Sequence, residues 1–194
     1  MVNRPGADKI AVTRIARPGD IFIMLAAKTN HINSKLRRHL DELQKIASGH
    51  PPEMMHITLQ RFGTRSQAAG RRLLDRLEEQ KANLLPFNVM ADGYLAVFSD
   101  FQKIHILKWT VPGNEILKTW YHMVDEVGLS VGLKPIYLRQ GYGAWVTALL
   151  DIQPPNEAQL QDIPIPKPLF CVNRLMVSRL LGPGEYQLLG EFVF

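Results

Sequence analysis

The fold of this chain is decided by one short apolar segment, which runs Glu53-Met54-Met55-His56-Ile57-Thr58-Leu59-Gln60-Arg61-Phe62-Gly63. Two prolines precede it and a glycine ends it, which is the pattern of a strand between turns. Successive side chains of a strand alternate between its faces, so His56 and Thr58 share one face while Ile57 and Leu59 face the other. An imidazole that exchanges protons near neutral pH then lies beside a hydroxyl group, a combination suited to phosphate chemistry. The pair alone does not distinguish a catalytic histidine from a structural one.

The composition predicts an ordinary globular protein. The 194 residues are 46% hydrophobic and 21% charged, with a formal net charge of +5 that favours anionic partners such as nucleic acid or nucleotides. The single cysteine, Cys171, excludes an internal disulfide framework, and its apolar neighbours predict a packed core position. No apolar run reaches the roughly 18 residues of a membrane span and no signal peptide is recognisable, so we expect a cytoplasmic protein without membrane contact.

Strands followed by helices on antiparallel sheets predict an α+β fold. The predicted strands cover 21–27 at the centre of a sheet, a hairpin over 87–98 and 102–111, 145–150, and two closing strands joined at Gly182-Pro183-Gly184. The predicted helices cover 32–46 from an N-cap at Asn33 or Ser34, 66–77 capped by Ser66, and 116–127 with Ile116 in its apolar face and Gly128 at its end. No P-loop or metal-ligand cluster is present, and His31 and His39 lack partners at ligand spacing, so we expect neither a cofactor nor a metal.

Three segments fall outside this regular pattern. Residues 1–19 form a basic extension to a single domain over 20–194, either loosely docked or acting as an arm that contacts a nucleic-acid backbone. The loop 129–143 leads into a strand, and Arg139, Gln140 and Tyr142 are candidates to line a site. A proline-rich connector covers 154–168.

The motif over 52–63 resembles the first signature of the two-histidine (2H) phosphoesterases, the superfamily of the 2′-5′ RNA ligase-like proteins and RNA 2′,3′-cyclic phosphodiesterases. The middle and closing hairpins are similar to those of the family, so the likeness extends from about residue 20 onward. The segment that matches the second His-x-Thr is Gly143-Ala144-Trp145-Val146-Thr147, where Trp145 occupies the place of the second histidine.

The resemblance implies a bilobal fold in which two antiparallel sheets, each backed by helices, surround a central cleft. It also implies a monomeric, metal-free phosphodiesterase that acts on 2′,3′-cyclic phosphates or 2′-5′ linkages of RNA or nucleotides. His56 would carry a proton, Thr58 and Thr147 would bind phosphate oxygens, and Trp145, Tyr142 and Arg139 would contact the substrate.

The missing histidine leaves several alternatives open. An indole cannot carry a proton, so we expect turnover to be impaired by about 10²- to 10⁴-fold unless His105, His122 on the third helix, or Tyr142 substitutes. Alternatively, the chain is a non-catalytic RNA- or nucleotide-binding module in which Trp145 stacks on a base. A third reading places the true second histidine elsewhere in the chain. Trp145 itself is either a cleft residue or a core aromatic.

Overall fold

The computed structural model describes residues 10–27, 33–64, 66–80, 85–139, 141–155, 157–183 and 185–194. The helices within these ranges are α1 Ser34–Ala47, α2 Gln67–Glu79, α3 Glu115–Ser130 and α4 Glu157–Gln161. The strands are β1 Ile10–Val12, β2 Ile21–Ala26, β3 His56–Gly63, β4 Phe87–Val89, β5 Gly93–Ser99, β6 Ile104–Val111, β7 Lys134–Pro135, β8 Tyr137–Arg139, β9 Ala144–Leu150, β10 Phe170–Val172, β11 Arg174–Gly182 and β12 Glu185–Val193. In these ranges no helix is both long and apolar enough to cross a membrane.

An eight-stranded antiparallel sheet organises the chain. Its order is β12-β11-β2-β3-β9-β6-β5, with β7 paired to β3. All six residues of β2 are buried, which confirms the predicted central strand. Two small sheets pair β1 with β8 and β10 with β4.

The large sheet consists of two halves that meet between β3 and β9. Among the described residues one register pair, Ile57 opposite Val146, joins the halves. Helices α2 and α3 pack on the half that contains β3 and β12, whereas α1 packs on β9 and α4 on β5. The bilobal α+β arrangement is therefore confirmed. The main apolar core lies between helices and sheet, and the other face of the sheet is left to form a cleft.

Strand β3 contains a β-bulge that decides which side chains face this cleft. In its pairing with β2 the register shifts between Thr58 and Gln60, so Leu59 is an extra residue. Leu59 and Gln60 are both fully buried on the helix side. Because a bulge interrupts the alternation of the strand, Arg61 returns to the face that carries His56 and Thr58.

The side-chain amide of Gln60 holds the bulge from the buried side. Its Nε2 donates to Asp125 Oδ1 of α3 at 2.7 Å and to the Tyr137 carbonyl of β8 at 3.2 Å. Its Oε1 accepts hydrogen bonds from the backbone N–H groups of Arg61 at 2.8 Å and Tyr137 at 3.1 Å. The buried amide is thus fully hydrogen-bonded, and it ties the bulge to α3 and β8.

Several predicted elements are divided or extended in the structure. The strand predicted over 87–98 is broken at 90–92, because β4 pairs with β10 whereas β5 pairs with β6. The strand predicted from 170 is likewise broken at Asn173, the predicted loop 129–143 includes β7 and β8, and the connector includes α4. Ser66 precedes α2 but accepts no capping hydrogen bond through its side chain. Cys171 is exposed rather than packed in the core, because it shares the outer face of the β4–β10 sheet with Asn88.

Part of the predicted basic extension is docked on the domain. Strand β1 pairs with β8, and Arg14 forms an ion pair with Asp20, which is 2% exposed, at 2.6 Å. Residues 1–9, together with His31 and Ile32 of the first predicted helix, lie outside the described residues.

Gly128 does not end α3, as the sequence predicted, but lies inside it. A Cβ atom at this position would overlap Cζ and Cε1 of the Phe62 ring, so glycine allows α3 to approach β3 closely. Ile116, predicted to pack in the core, is 48% exposed at the start of the same helix. A glycine near the end of an apolar stripe therefore has a packing role here rather than a capping role.

We expect Gly128→Ala to lower the free energy of unfolding by about 1–2 kcal/mol net, because forcing a methyl group against the Phe62 ring overpacks the core at a cost of about 2–3 kcal/mol. The helix preference for alanine, worth about 1 kcal/mol, only partly offsets this cost. Urea denaturation would measure the change, with Ile116→Ala on the exposed side of α3 as control, expected within about 0.5 kcal/mol of the parent. Equal stability of Gly128→Ala and the parent would contradict this account of the α3–β3 contact.

Candidate active site

The concave face of the large sheet encloses a cleft of about 830 Å³. Side chains from β2, β3, β6, β9, β11 and β12 line it, together with the segments 50–54 and 99–102. His56, Thr58, Trp145 and Thr147 all face this space. The two segments that resemble His-x-Thr motifs thus contribute to one cleft.

The register of β3 and β9 relates the two motifs to each other. In an antiparallel pair centred on Ile57 and Val146, a local two-fold axis relates His56 to Trp145 and Thr58 to Thr147. The same register brings His56 next to Thr147, and Thr58 next to Trp145, across the junction between β3 and β9. Trp145 therefore occupies the position that a second, symmetry-related imidazole would have.

His56 begins β3 and is half-buried at the cleft floor. Its Nδ1 lies 3.2 Å from the Met54 carbonyl oxygen. A carbonyl oxygen only accepts, so the proton lies on Nδ1 and the lone pair on Nε2. Burial lowers the pKa of His56, the Met54 hydrogen bond opposes this, and the positive charges of Arg61 and Lys108 lower the pKa further. The imidazole is therefore neutral at pH 7 and able to accept a proton.

Trp145 is half-buried in the cleft and carries a cation on its face. The Lys108 Nζ lies 5.2 Å from the centroid of the Trp145 ring, within the range of a cation–π contact. Lys108 lies in β6 opposite Thr147 of β9, so its ammonium group belongs to the half of the cleft that lacks a histidine. Burial, and then the charge of Arg61, lowers the pKa of Lys108 to about 8.

Arg61 provides a second cationic group in the cleft. Its guanidinium carbon lies 4.5 Å from the centroid of the Phe22 ring and 4.7 Å from that of the Tyr137 ring. Arg174 provides a third, but its charge is balanced by Glu191 at 3.3 Å. Among the described residues that line the cleft, Glu53 is the one acidic side chain, and it is exposed at the rim. The charge balance of the cleft thus favours an anionic ligand.

The structure places three other predicted residues away from this cleft. Tyr142 lies against α3, where its hydroxyl is 3.1 Å from His122 Nε2 and its ring stacks on Tyr121, so neither Tyr142 nor His122 can serve the cleft. His105 packs against Phe98, on the face of β6 opposite to that of Lys108. The predicted substitutes for the missing histidine therefore do not reach it.

Two further predicted residues lie where the structure gives no side-chain description. Arg139 is described only through its backbone in β8, and Gln140 lies outside the described residues. Their predicted contacts with a substrate stay predictions.

The sequence analysis missed three residues that line the cleft. His50 lies exposed at its rim, where its backbone exchanges two hydrogen bonds with Leu150 at the end of β9. Lys108 had a recognisable signal, a lone lysine within an apolar strand between Leu107 and Trp109. Arg61 had no recognisable signal in the sequence, because simple alternation from His56 assigns its side chain to the strand face opposite to that of His56.

Within the described ranges no group of three or more His, Cys, Asp or Glu side chains could hold a metal ion. His39, which the sequence analysis did not regard as a ligand, is buried and instead lies 3.1 Å from the Tyr94 hydroxyl and accepts from Trp109 Nε1 at 3.4 Å. It belongs to the core behind β5 and β6.

Comparison with solved structures identifies the same fold in proteins of distant sequence. LigT of E. coli, solved in complex with 3′-AMP, superposes with a TM-score of 0.58 at 12% identity, over 92% of this chain and 99% of LigT. Usb1 of Kluyveromyces marxianus superposes with a TM-score of 0.58 at 12% identity, over 89% of this chain and 98% of Usb1. A further protein, described as a phosphoesterase, superposes with a TM-score of 0.54 at 14% identity, over 92% of this chain and 99% of the phosphoesterase chain.

These neighbours establish the fold, and the bilobal α+β architecture that the resemblance implied is confirmed. No family model and no curated protein sequence matches the chain.

We expect the imidazole of His56 to titrate below the ordinary pKa of about 6.5, because burial and two nearby cations disfavour its protonation. Lys108→Met should raise the pKa of His56 by removing one of these charges. A pH titration of the imidazole signals by NMR would measure both values, with Lys118→Met, which lies on α3 outside the cleft, as the matched control. An unchanged His56 pKa in Lys108→Met would show that the two groups do not interact.

Proposed function

We propose that the cleft binds RNA or nucleotide phosphodiesters and opens 2′,3′-cyclic phosphates or 2′-5′ linkages without a metal. The observation that carries this proposal is the convergence of His56, Thr58 and Thr147 on one cleft floor beside the ammonium group of Lys108. A proton acceptor, two hydroxyl groups and a cation are the groups that phosphodiester hydrolysis requires. The shared fold with LigT and Usb1 supports the same class of reaction.

His56 acts as the general base. Its Nε2 lone pair removes a proton from a water molecule, and the water oxygen attacks the phosphorus atom of the cyclic phosphate. The neutral state of the imidazole at pH 7, which burial and the neighbouring cations favour, makes it ready for this step without prior deprotonation. The hydroxyl groups of Thr58 and Thr147 donate hydrogen bonds to the non-bridging oxygens as negative charge accumulates.

Lys108 acts as the general acid in place of the missing histidine. When the bond between phosphorus and one ribose oxygen breaks, that oxygen takes a proton from the Lys108 ammonium group, and the product is a phosphomonoester. The proton held by His56 then returns to Lys108 through solvent. An amine with a pKa of about 8 is still mostly protonated at pH 7, yet is more acidic than an ordinary lysine.

Turnover by this pair is slower than turnover by two imidazoles. A general acid works best when its pKa lies close to the operating pH, and Lys108 lies about a unit above it. The proposed pair would give the impaired rate that the sequence predicts, with Lys108 as proton donor in place of the donors considered there. The cytoplasmic location and the monomeric state that the sequence predicts stay predictions.

Trp145 favours a second candidate function, a module that binds RNA or nucleotides without turnover. Its ring faces the cleft where the family has a proton carrier, and base–aromatic stacking contributes about 1–3 kcal/mol to affinity. In this case the cleft binds the RNA or nucleotide ligand but does not hydrolyse its phosphodiester.

Purified protein should hydrolyse a nucleoside 2′,3′-cyclic phosphate, and His56→Ala should lower the rate by at least about 10²-fold because the general base is lost. Product formation followed by chromatography would measure this. His122→Ala, which removes an imidazole from α3, is the matched control and should retain the parental rate. Tight binding with no turnover in the parent protein would instead support the binding module.

The rate should follow a bell-shaped pH dependence, because a neutral His56 and a protonated Lys108 are needed together. The acid limb should lie below about 6.5 and the alkaline limb near the Lys108 pKa of about 8. His50, Glu53, Arg61, Arg174, Tyr137 and Tyr186 also line the cleft. Of these, His50 is the one further imidazole beside His56 among the described residues of the cleft.

Lys108→Arg should shift the alkaline limb upward and slow the reaction, since a guanidinium group does not release its proton below about pH 12. His50→Ala should leave the alkaline limb in place. If His50→Ala removed this limb and Lys108→Arg did not move it, the exposed imidazole at the rim would be the proton donor.

A further inference from the structure

Arg61 is a cation that lines the cleft without an anionic partner. In the ranges that the structure describes, the guanidinium forms no ion pair with a carboxylate, and its Nε is buried without a hydrogen-bond partner. By contrast, Arg174, which also lines the cleft, is paired with Glu191 at 3.3 Å, and Arg14 is paired with the buried Asp20 at 2.6 Å. Because an arginine is always charged, leaving it half-buried and unpaired has a free-energy cost that an anionic ligand removes.

The guanidinium is also held in a fixed plane. The rings of Phe22 from β2 and Tyr137 from β8 both lie within 4.7 Å of its carbon atom. The bulge directs the Arg61 side chain to the cleft side, and the Gln60 side chain accepts a hydrogen bond from the Arg61 backbone N–H at 2.8 Å. A guanidinium ordered in this way loses little side-chain entropy when its N–H groups bind an oxyanion.

Arg61 is offset along β3 from the pair formed by His56 and Thr58. The two positions Thr58 and Arg61 are three apart, with Leu59 and Gln60 between them, which corresponds to at most about 10 Å of strand. The two rings hold the side chain on the β2–β8 side of the cleft, whereas Thr147 and Lys108 lie on the other side, in β9 and β6. The guanidinium therefore contacts a part of the ligand next to the reacting group.

We propose that Arg61 forms a second phosphate-binding subsite, so that the ligand of this cleft carries a further phosphate group beside the one bound at His56, Thr58 and Thr147. This inference rests on the proposed function for the identity of the first subsite. The planar fork of a guanidinium matches a phosphate group through two parallel hydrogen bonds. The second phosphate is either the neighbouring phosphodiester of an RNA strand or a 5′-phosphate on the same nucleoside.

Equilibrium binding of three probes would test the subsite: adenosine 3′-monophosphate, adenosine 3′,5′-bisphosphate, and the dinucleotide ApA with a 3′-phosphate. The parent protein should bind at least one of the two larger probes at least tenfold more tightly than the monophosphate. Tighter binding of the dinucleotide alone indicates a neighbouring phosphodiester, and tighter binding of the bisphosphate alone indicates a 5′-phosphate.

Arg61→Met should reduce this tenfold preference to less than about threefold, and it should lower the slope of log Kd against log salt concentration by about one for the larger probe. Arg61→Lys should give an intermediate preference, because a lysine keeps the charge but not the planar fork. Arg71→Met on the exposed surface of α2 is the control and should keep the parental preference. Thermal unfolding of each variant would establish that it is folded.

The outcomes separate this subsite from the proposed function. Equal affinity of the parent protein for all three probes, or an equal loss for all three in Arg61→Met, would overturn the subsite while leaving the first phosphate site intact. An Arg61-dependent affinity for the larger probes, without turnover of a cyclic phosphate, would support the subsite and reject the enzyme. Absence of binding by every probe would overturn both.

Discussion

The hydrogen bonds of the Gln60 amide are the constraint on which the rest of the cleft depends. A strand without the bulge would direct Gln60 into the cleft and Arg61 into the core beneath α3. Four hydrogen bonds from one buried amide instead fix the extra residue, and they link β3 to α3 and β8 at the same time. The His56–Thr58 pair before the bulge and Arg61 after it consequently line the same cleft, although an odd number of positions separates them.

The half of the cleft formed by β9 and β6 differs from the half that contains His56, because it has no imidazole at the matching position. Trp145 fills the position related to His56 by the local two-fold axis, and its ring supports the ammonium group of Lys108. An aromatic face stabilises a cation without neutralising it, whereas a carboxylate would hold the proton more tightly. The loss of a histidine from the motif therefore does not by itself leave this half without a titratable group.

The sequence predicted the parts of the fold and site that depend on local pattern. His56 and Thr58 precede the bulge, so strand alternation placed them correctly, and the apolar run of β2 identified the central strand. The position of Arg61 in the cleft could not be predicted from the sequence, because the residues that fix the bulge, Asp125 and Tyr137, lie 65 and 77 residues away from Gln60. Gly128 was misjudged for the same kind of reason: a capping glycine and a glycine that admits the Phe62 ring look alike in sequence, and only the approach of α3 to β3 separates them.

His56 and Lys108, the two proposed proton carriers of the cleft, differ in basicity, and this difference favours one direction of proton transfer in the proposed reaction. Because burial and two nearby cations lower the pKa of His56 while that of Lys108 is about 8, the arrangement with a neutral imidazole and a charged amine outnumbers the inverted one. Two imidazoles of equal basicity would populate both arrangements alike and could exchange roles between bond breaking and bond making. In this chain the resting protonation state matches that needed for hydrolysis, and the reverse reaction, joining a phosphate to a ribose oxygen, would begin from a minor microstate.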